Sequence, residues 1–349
     1  MAEGPAVAVV IPTRNRPQRL ARSLERVLAA AAQVGGAVEV VVVDDGGDGG
    51  DGGTRAVAEA LGGGVRYLRS SGAGPGAARN AGVAASSAPV VAFTDDDTEA
   101  DPAWLVRALA RLDAEPAAAA VEGAVLPSLP ESPLDAARAR VVDNRSGGAF
   151  LTANLVVRRA AFDAAGGFLP LRADAAPRWN VPFREDTDLG LRLERAAGPV
   201  VFDPEVVVRH PVDEVDLRGY LRTARYFELD AALQRLHPQA LPPLRRPLAR
   251  ARIRTAVLAA LAAPGALRAG RARAVAAGAL ALAVGVQQAQ VERDLARAGL
   301  RRPRAQVVSD IVRRTPRCAA WALVAGASRV AGVAGVRAGR IPVRTGEAA

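Results

Sequence analysis

Ala88-Pro89-Val90-Val91-Ala92-Phe93-Thr94-Asp95-Asp96-Asp97 is the stretch that decides how this chain is read: an apolar run that ends in three adjacent carboxylates. Like charges that close repel and raise one another's pKa, so a buried strand ending this way calls for a cation. No basic residue neighbours the three aspartates in sequence. A divalent metal resolves the conflict, and hard carboxylate oxygens suit Mg2+ or Mn2+. The tip of a strand in an open α/β sheet is also where such folds bind ligands. The plainer reading is a solvated acidic turn leading into a helix that starts at Asp101-Pro102.

Working outward, two further runs share this character. Val38 to Val43 is almost unbroken in β-branched residues and ends in Asp44-Asp45-Gly46. Ala6 to Ile11 stops at Pro12-Thr13-Arg14-Asn15-Arg16-Pro17, after which Leu20, Leu24, Val27 and Leu28 recur at helical spacing. Continuous apolar runs read as strands buried on both faces of a parallel sheet. The order strand, loop, helix, strand, with polar groups collected after each strand, is βαβ organisation with a site at the carboxyl edge.

Five segments carry a resemblance: VVIPTRNRP at 9–17, VVVVDDG at 40–46, GPGAARNAG at 74–82, VAFTDDD at 91–97 and FREDTDLGLRL at 183–193. Singly each is weak. In this order and spacing they resemble the inverting glycosyltransferases of family 2. That resemblance implies the GT-A fold, a Rossmann-like, mostly parallel α/β sheet flanked by helices that binds nucleotide sugars. It covers about the first two-thirds of the chain.

The chain has 349 residues, and its net charge of +10 hides an asymmetry. Residues 1–214 hold 22 Arg against 29 Asp and Glu, whereas residues 215–349 hold 24 Arg against 7, a net of +17. The expected division is a catalytic domain over 1–214 and a basic, mostly helical region over 215–349. The partner of that region is an anionic membrane surface, a lipid phosphate or a soluble protein interface. Few aromatics and no nucleic-acid module argue against nucleic acid. The apolar segment Ala274 to Val286 is shorter than the ~20 residues a bilayer span requires, which fits an interfacial or a core helix. One cysteine, Cys318, excludes an internal disulfide. With no secretory signal visible, a cytoplasmic protein is expected, peripheral on the inner face of the cell membrane if the basic region binds lipid.

Local signals place further elements. Residues 46–53, rich in Gly and Asp, read as a loop, and Val65 to Leu68 as a short strand. Gly72 to Gly76 precedes a helix opening at Ala77, but lacks the third glycine of a dinucleotide fingerprint and does not follow the first strand. Residues 126–148 read as an excursion on the acceptor side, and Ala153 to Arg159 as a strand. Val200 to Phe202 and Val206 to Val208 read as two late strands, and Leu217 to Leu236 as a helix.

The resemblance also implies roles. Thr13, Arg14, Asp44 and Asp45 would hold the nucleoside, with Asp44 accepting from the base. Arg79 and Asn80 would reach the nucleotide. Asp95 and Asp96 would meet the donor, Asp95 and Asp97 form the Asp-x-Asp element, and Asp97 would ligate the metal. His210, after Pro204 to Arg209, would be a further ligand. Asp186 would be the catalytic base, with Glu185 orienting the acceptor. A carboxylate at a helix N-terminus is favoured by the dipole and stays ionised.

The expected activity is transfer of one sugar from a nucleotide-diphosphate sugar, by family habit a UDP-sugar, to an acceptor hydroxyl on a lipid-linked or envelope glycan. The Gln-x-x-Arg-Trp motif and long membrane helices of processive synthases are absent from the sequence. The rivals are a catalytically silent nucleotide-sugar-binding scaffold and a nucleotidyltransferase. The latter's glycine-rich, basic first loop is missing.

Overall fold

The computed structural model describes residues 4–46, 53–62, 64–128, 139–140, 142–170, 184–214, 216, 218–219, 229–240, 331 and 334. Those residues fall in two compact units, one built from 4–128 and 142–212, the other from 139–140 and 213–334.

In the first unit an eight-stranded sheet has the order β3-β2-β1-β4-β8-β6-β9-β5. It comprises β1 (Val7–Thr13), β2 (Val38–Asp44), β3 (Val65–Arg69), β4 (Val90–Phe93), β5 (Glu99–Ala100), β6 (Ala120–Pro127), β8 (Leu155–Arg158) and β9 (Val200–His210). β1, β2, β3 and β4 pair in parallel. β8 then runs antiparallel to both β4 and β6. Two reversals restore the original direction, so β6 and its parallel neighbour β9 point the same way as β4. The carboxyl ends of β1, β2, β4 and β9 therefore share one edge of the sheet.

Both faces of the sheet are covered, which explains the unbroken apolar runs. Alternate side chains enter opposite cores. Val7, Val9, Ile11, Val40 and Val42 pack with Leu20, Leu24 and Val27 of α1 (Pro17–Ala31) and with Trp104 and Leu105 of α4 (Trp104–Ala114). Val10, Val41 and Val43 pack with Ala78 and Val83 of α3 (Pro75–Ala84), Phe162 of α5 (Arg159–Ala164) and Leu189 and Leu193 of α6 (Glu185–Ala196). Fully burying each such Val or Leu contributes about 1.5–3 kcal/mol. α3 lies so close to the sheet that a Cβ on Gly82 would stand 2.4 Å from Val10 Cγ1. A further helix, α2 (Thr54–Leu61), connects β2 to β3.

The structure corrects two local readings. Ala153 to Arg159 is not one strand: Thr152–Asn154 is a 3-10 turn, Leu155–Arg158 is β8, and α5 begins at Arg159. The two late strands are one, β9, whose pairing with β6 slips at Gly123/Ala124, opposite the Pro204-Glu205 excursion. Proline has no N–H for the ladder, so the bulge falls where it sits. The sheet is mostly parallel, as expected, with antiparallel pairings made by β8 and β5.

In the second unit β7 (Ala139–Arg140) pairs antiparallel with β10 (Asp213–Glu214), and a helix, α7, spans Leu229–Leu236. Of the expected helix over 217–236, residues 218–219 and 229–236 are described and helical. The Gly-Asp loop at 47–52, residues 129–138 and 141 of the 126–148 excursion and the apolar segment at 274–286 lie outside the described residues. Among the described residues no helix is long and apolar enough to cross a membrane.

Candidate active site

The three aspartates lie just beyond β4, and the fold brings three arginines to them. Arg79, from α3, donates through Nη2 to Asp95 Oδ1 at 2.6 Å. Arg16 and Arg19, at the start of α1, reach Asp97 Oδ2 at 3.4 and 3.1 Å, and Arg16 also reaches Asp96 Oδ1 at 3.3 Å. The absence of a basic neighbour therefore holds along the chain and fails in space, because 16 residues separate Arg79 from Asp95 and roughly 80 separate Arg16 and Arg19 from their partners. Thr13, at the tip of β1, donates its hydroxyl to Asp96 Oδ2 at 2.7 Å. Burial pushes the Asp96 pKa up to about 6; the Thr13 hydroxyl and Arg16 pull it down, and Asp97 and Asp95 push it further up.

His210 closes the constellation from the end of β9. Its Nδ1 lies 3.0 Å from the carbonyl oxygen of Pro211, an acceptor only, so Nδ1 carries the proton of that bond. Its Nε2 then faces Asp97 Oδ1 at 3.6 Å. In a neutral ring that nitrogen holds a lone pair, which is repelled by a carboxylate unless a cation or a proton lies between them. Asp95, Asp97 and His210 each offer one ligand atom, and these lie within 4.8 Å of one another. Two carboxylates and an imidazole held by a backbone carbonyl are a donor set suited to a divalent cation such as Mn2+. The residues present fit the metal that the sequence called for.

The tip of β2 is polar but closed. Asp44, fully buried, accepts from the Gly46 N–H at 2.9 Å and the Tyr67 hydroxyl at 3.0 Å. Asp45 accepts from the Ser70 hydroxyl at 2.6 Å and the Gly74 N–H at 3.0 Å, tying β2 to the start of α3. Asn80 exchanges two bonds with the backbone of Phe168, its Nδ2 donating at 2.8 Å and its Oδ1 accepting at 2.9 Å. Arg14 is exposed at the same edge. Arg79 is buried, passes over the Phe168 ring at 5.6 Å, and its Nε has no hydrogen-bond partner among the described residues.

Asp186 stands in the first turn of α6 behind Arg184, which adopts φ 72°. Its Oδ1 accepts from the Thr187 N–H at 2.8 Å. Burial raises its pKa above the ordinary carboxylate value; the Thr187 N–H, Arg79 and Arg184 oppose this, and Asp95 adds to it. This qualifies the sequence reading, in which the helix dipole alone keeps the group ionised. A raised pKa moves the carboxylate toward working pH, where a general base is most effective. Asp186 is thus within electrostatic reach of Arg79 and Asp95. Glu185 packs on α3, since a Cβ on Gly76 would lie 2.5 Å from its Oε2.

Sequence reasoning missed Glu122, which supports this helix from behind. It is 1% exposed on β6. Its Oε1 accepts from Asn144 Nδ2 at 2.8 Å, Ala149 N at 3.1 Å and Phe150 N at 2.5 Å, and its Oε2 from Gly148 N at 2.7 Å. That knot holds Phe150 at φ 55° against Gly190 of α6, and Ala149 O accepts from Thr187 Oγ1 at 3.4 Å. Only the glutamate between Val121 and Gly123, a polar group inside an apolar run, hinted at it.

Residues 8–176 match the model of Glycosyl transferase family 2. Among solved structures the chain is similar to a mannosyltransferase from Pyrobaculum calidifontis, PcManGT, in complex with GDP-Man and Mn2+. The two share 19% identity and a TM-score of 0.58, over 94% of this chain and 88% of that one. It is also similar to TarS of S. aureus, at 16% identity and a TM-score of 0.46, over 77% of this chain and 50% of that one. No curated protein matches it in sequence. The family match makes residues 8–176 a glycosyltransferase family 2 domain and the protein a transferase, and the likeness to PcManGT agrees with the GT-A fold. Asp186 and His210 lie beyond the matched segment.

Proposed function

We propose that the protein is an inverting, metal-dependent glycosyltransferase that moves one sugar from a nucleoside diphosphate sugar to an acceptor hydroxyl. The observation that carries this reading is the convergence of Asp95, Asp97 and His210 on possible ligand positions, with Arg79 bonded to Asp95 and the charges of both felt at the Asp186 carboxyl. Asp186 takes the acceptor proton as the acceptor oxygen attacks the anomeric carbon. The bond from that carbon to the diphosphate breaks on the opposite face, which inverts the configuration. Asp95, Asp97 and His210 hold Mg2+ or Mn2+, which when bound supplies Lewis-acid stabilisation to the departing diphosphate. Arg79, held on Asp95, reaches the nucleotide, and Glu185 orients the acceptor. Thr13, Arg14, Asp44, Asp45, Asn80 and Asp96 shape the nucleotide side, most of them by holding backbone and neighbours in place.

UDP-sugars are the first donors to test by family habit. GDP-mannose belongs in the same screen because a protein of this fold holds it. The screen measures donor-dependent release of nucleoside diphosphate with and without acceptor hydroxyls. Turnover that is lost in Asp97→Ala and Asp186→Asn supports the reading. Binding without turnover for every donor would instead make the protein a silent nucleotide-sugar scaffold.

The sequence of residues 215–349, with its net charge of +17, supports attachment to an anionic membrane surface that presents a lipid-linked acceptor. Co-sedimentation with anionic liposomes tests this. Salt-sensitive binding supports attachment, and no binding at low salt assigns the arginines to a protein interface.

A further inference from the structure

At Asp96 and Asp97 the guanidinium groups of Arg16 and Arg19 sit on the solvent side, whereas Arg79, on Asp95, is buried. Side chains of Asp96 and Asp97 are 6% and 9% exposed, whereas those of Arg16 and Arg19 are 53% and 43% exposed. A ligand arriving from solvent meets the arginines before the carboxylates. The atoms also divide. Arg16 and Arg19 occupy Oδ2 of Asp97, and His210 faces Oδ1. With Arg79 on Asp95, each of the three carboxylates already has a positive partner within the protein. A cation added alone gains little from carboxylates so neutralised. Arg16 and Arg19, drawn to Asp97 by charge, are released from part of that attraction once a cation shares the carboxylate. A diphosphate arriving beside them is the strongest acceptor for a guanidinium, which can bind it through two parallel bonds.

We propose that Arg16 and Arg19 are donor-binding residues that make cation loading conditional on the diphosphate: they mask Asp97 in the empty enzyme and pass to the diphosphate when donor and metal enter. This rests on the metal reading above. It predicts two effects of opposite sign from one substitution. Removing a guanidinium strengthens metal binding to the donor-free enzyme and weakens binding of the nucleoside diphosphate in the presence of metal.

The test uses full-length wild type, Arg19→Gln, Arg16→Gln/Arg19→Gln and Asp97→Ala. Mn2+ binding is followed by electron paramagnetic resonance without nucleotide. Binding of the nucleoside diphosphate that the donor screen selects is followed by calorimetry at saturating Mn2+. Removing an exposed ion pair corresponds to roughly a fivefold change or less. Arg19→Gln is therefore expected to tighten Mn2+ about threefold and the double variant up to about tenfold. Nucleoside diphosphate affinity is expected to fall by a similar factor. If wild type binds Mn2+, Asp97→Ala does not, and the arginine variants bind it no more tightly, the masking role is overturned and the metal reading stands. If wild type and Asp97→Ala bind Mn2+ equally, the metal reading fails and this proposal fails with it. Circular dichroism of each variant identifies misfolding. Arg19→Gln, an exposed substitution, keeps the comparison valid should the double variant unfold.

Discussion

Replacing Glu122 by Gln tests how the site is supported, because the substitution changes one atom and leaves the shape. The carboxylate receives four hydrogen bonds inside the protein, three at Oε1 and one at Oε2. With the Gln carbonyl in the Oε1 position, the amide nitrogen faces the Gly148 N–H, donor against donor. Losing one bond to a charged group costs about 1.5–3 kcal/mol. The other three weaken from charge-assisted to neutral. Together these amount to about 3 kcal/mol, a large share of the roughly 5–15 kcal/mol that keeps a domain folded. Urea denaturation followed by circular dichroism at neutral pH should show that loss. Glu122→Ala, which strands all four donors, should fold poorly or not at all. Activity should fall as well, because the loop held by Glu122 contacts α6 through Phe150 and Ala149. A Glu122→Gln variant within about 0.5 kcal/mol of wild type, the range of an inconsequential substitution, would refute the reasoning.

Asp186→Asn is expected to lower kcat by about 10²–10⁴-fold while donor affinity, read by calorimetry, stays near wild type; near-normal kcat would move the base elsewhere. The same variant carries a stability prediction. Burial raises the Asp186 pKa, so the stability linked to its proton is fully present below the unfolded value and is lost as pH rises through the folded value. Asp186→Asn should therefore melt at a higher temperature than wild type at neutral pH, with the gap closing in acid. Gly82→Ala gains about 1 kcal/mol of helix propensity, but its methyl would press on Val10 and Val43. Overpacking costs about 1–3 kcal/mol, so a lower melting temperature is expected, and a stabilised variant would show that α3 can retreat from the sheet. EDTA should abolish transfer and Mn2+ or Mg2+ restore it, whereas full activity in excess chelator would remove the metal from the reaction.

The strands that lead to the site and the acids at their tips were legible in the order of residues alone. Unbroken apolar runs such as Val40 to Val43 and Val90 to Phe93 exist only where a sheet is covered on both faces, and carboxylates that close to such runs are visible one after another. What it could not show were pairings made across the chain. Arg16 and Arg19 look like a basic helix start, yet they neutralise aspartates roughly 80 residues away. Glu122 looks like a stray charge, yet it organises a loop more than twenty residues distant. His210 ends a strand whose direction depends on two antiparallel reversals through β8. Local sequence fixes a strand through the alternation and burial of its own side chains. The partner of a buried charge is set by desolvation, which forces any such group to find its counterpart wherever the folded chain delivers one.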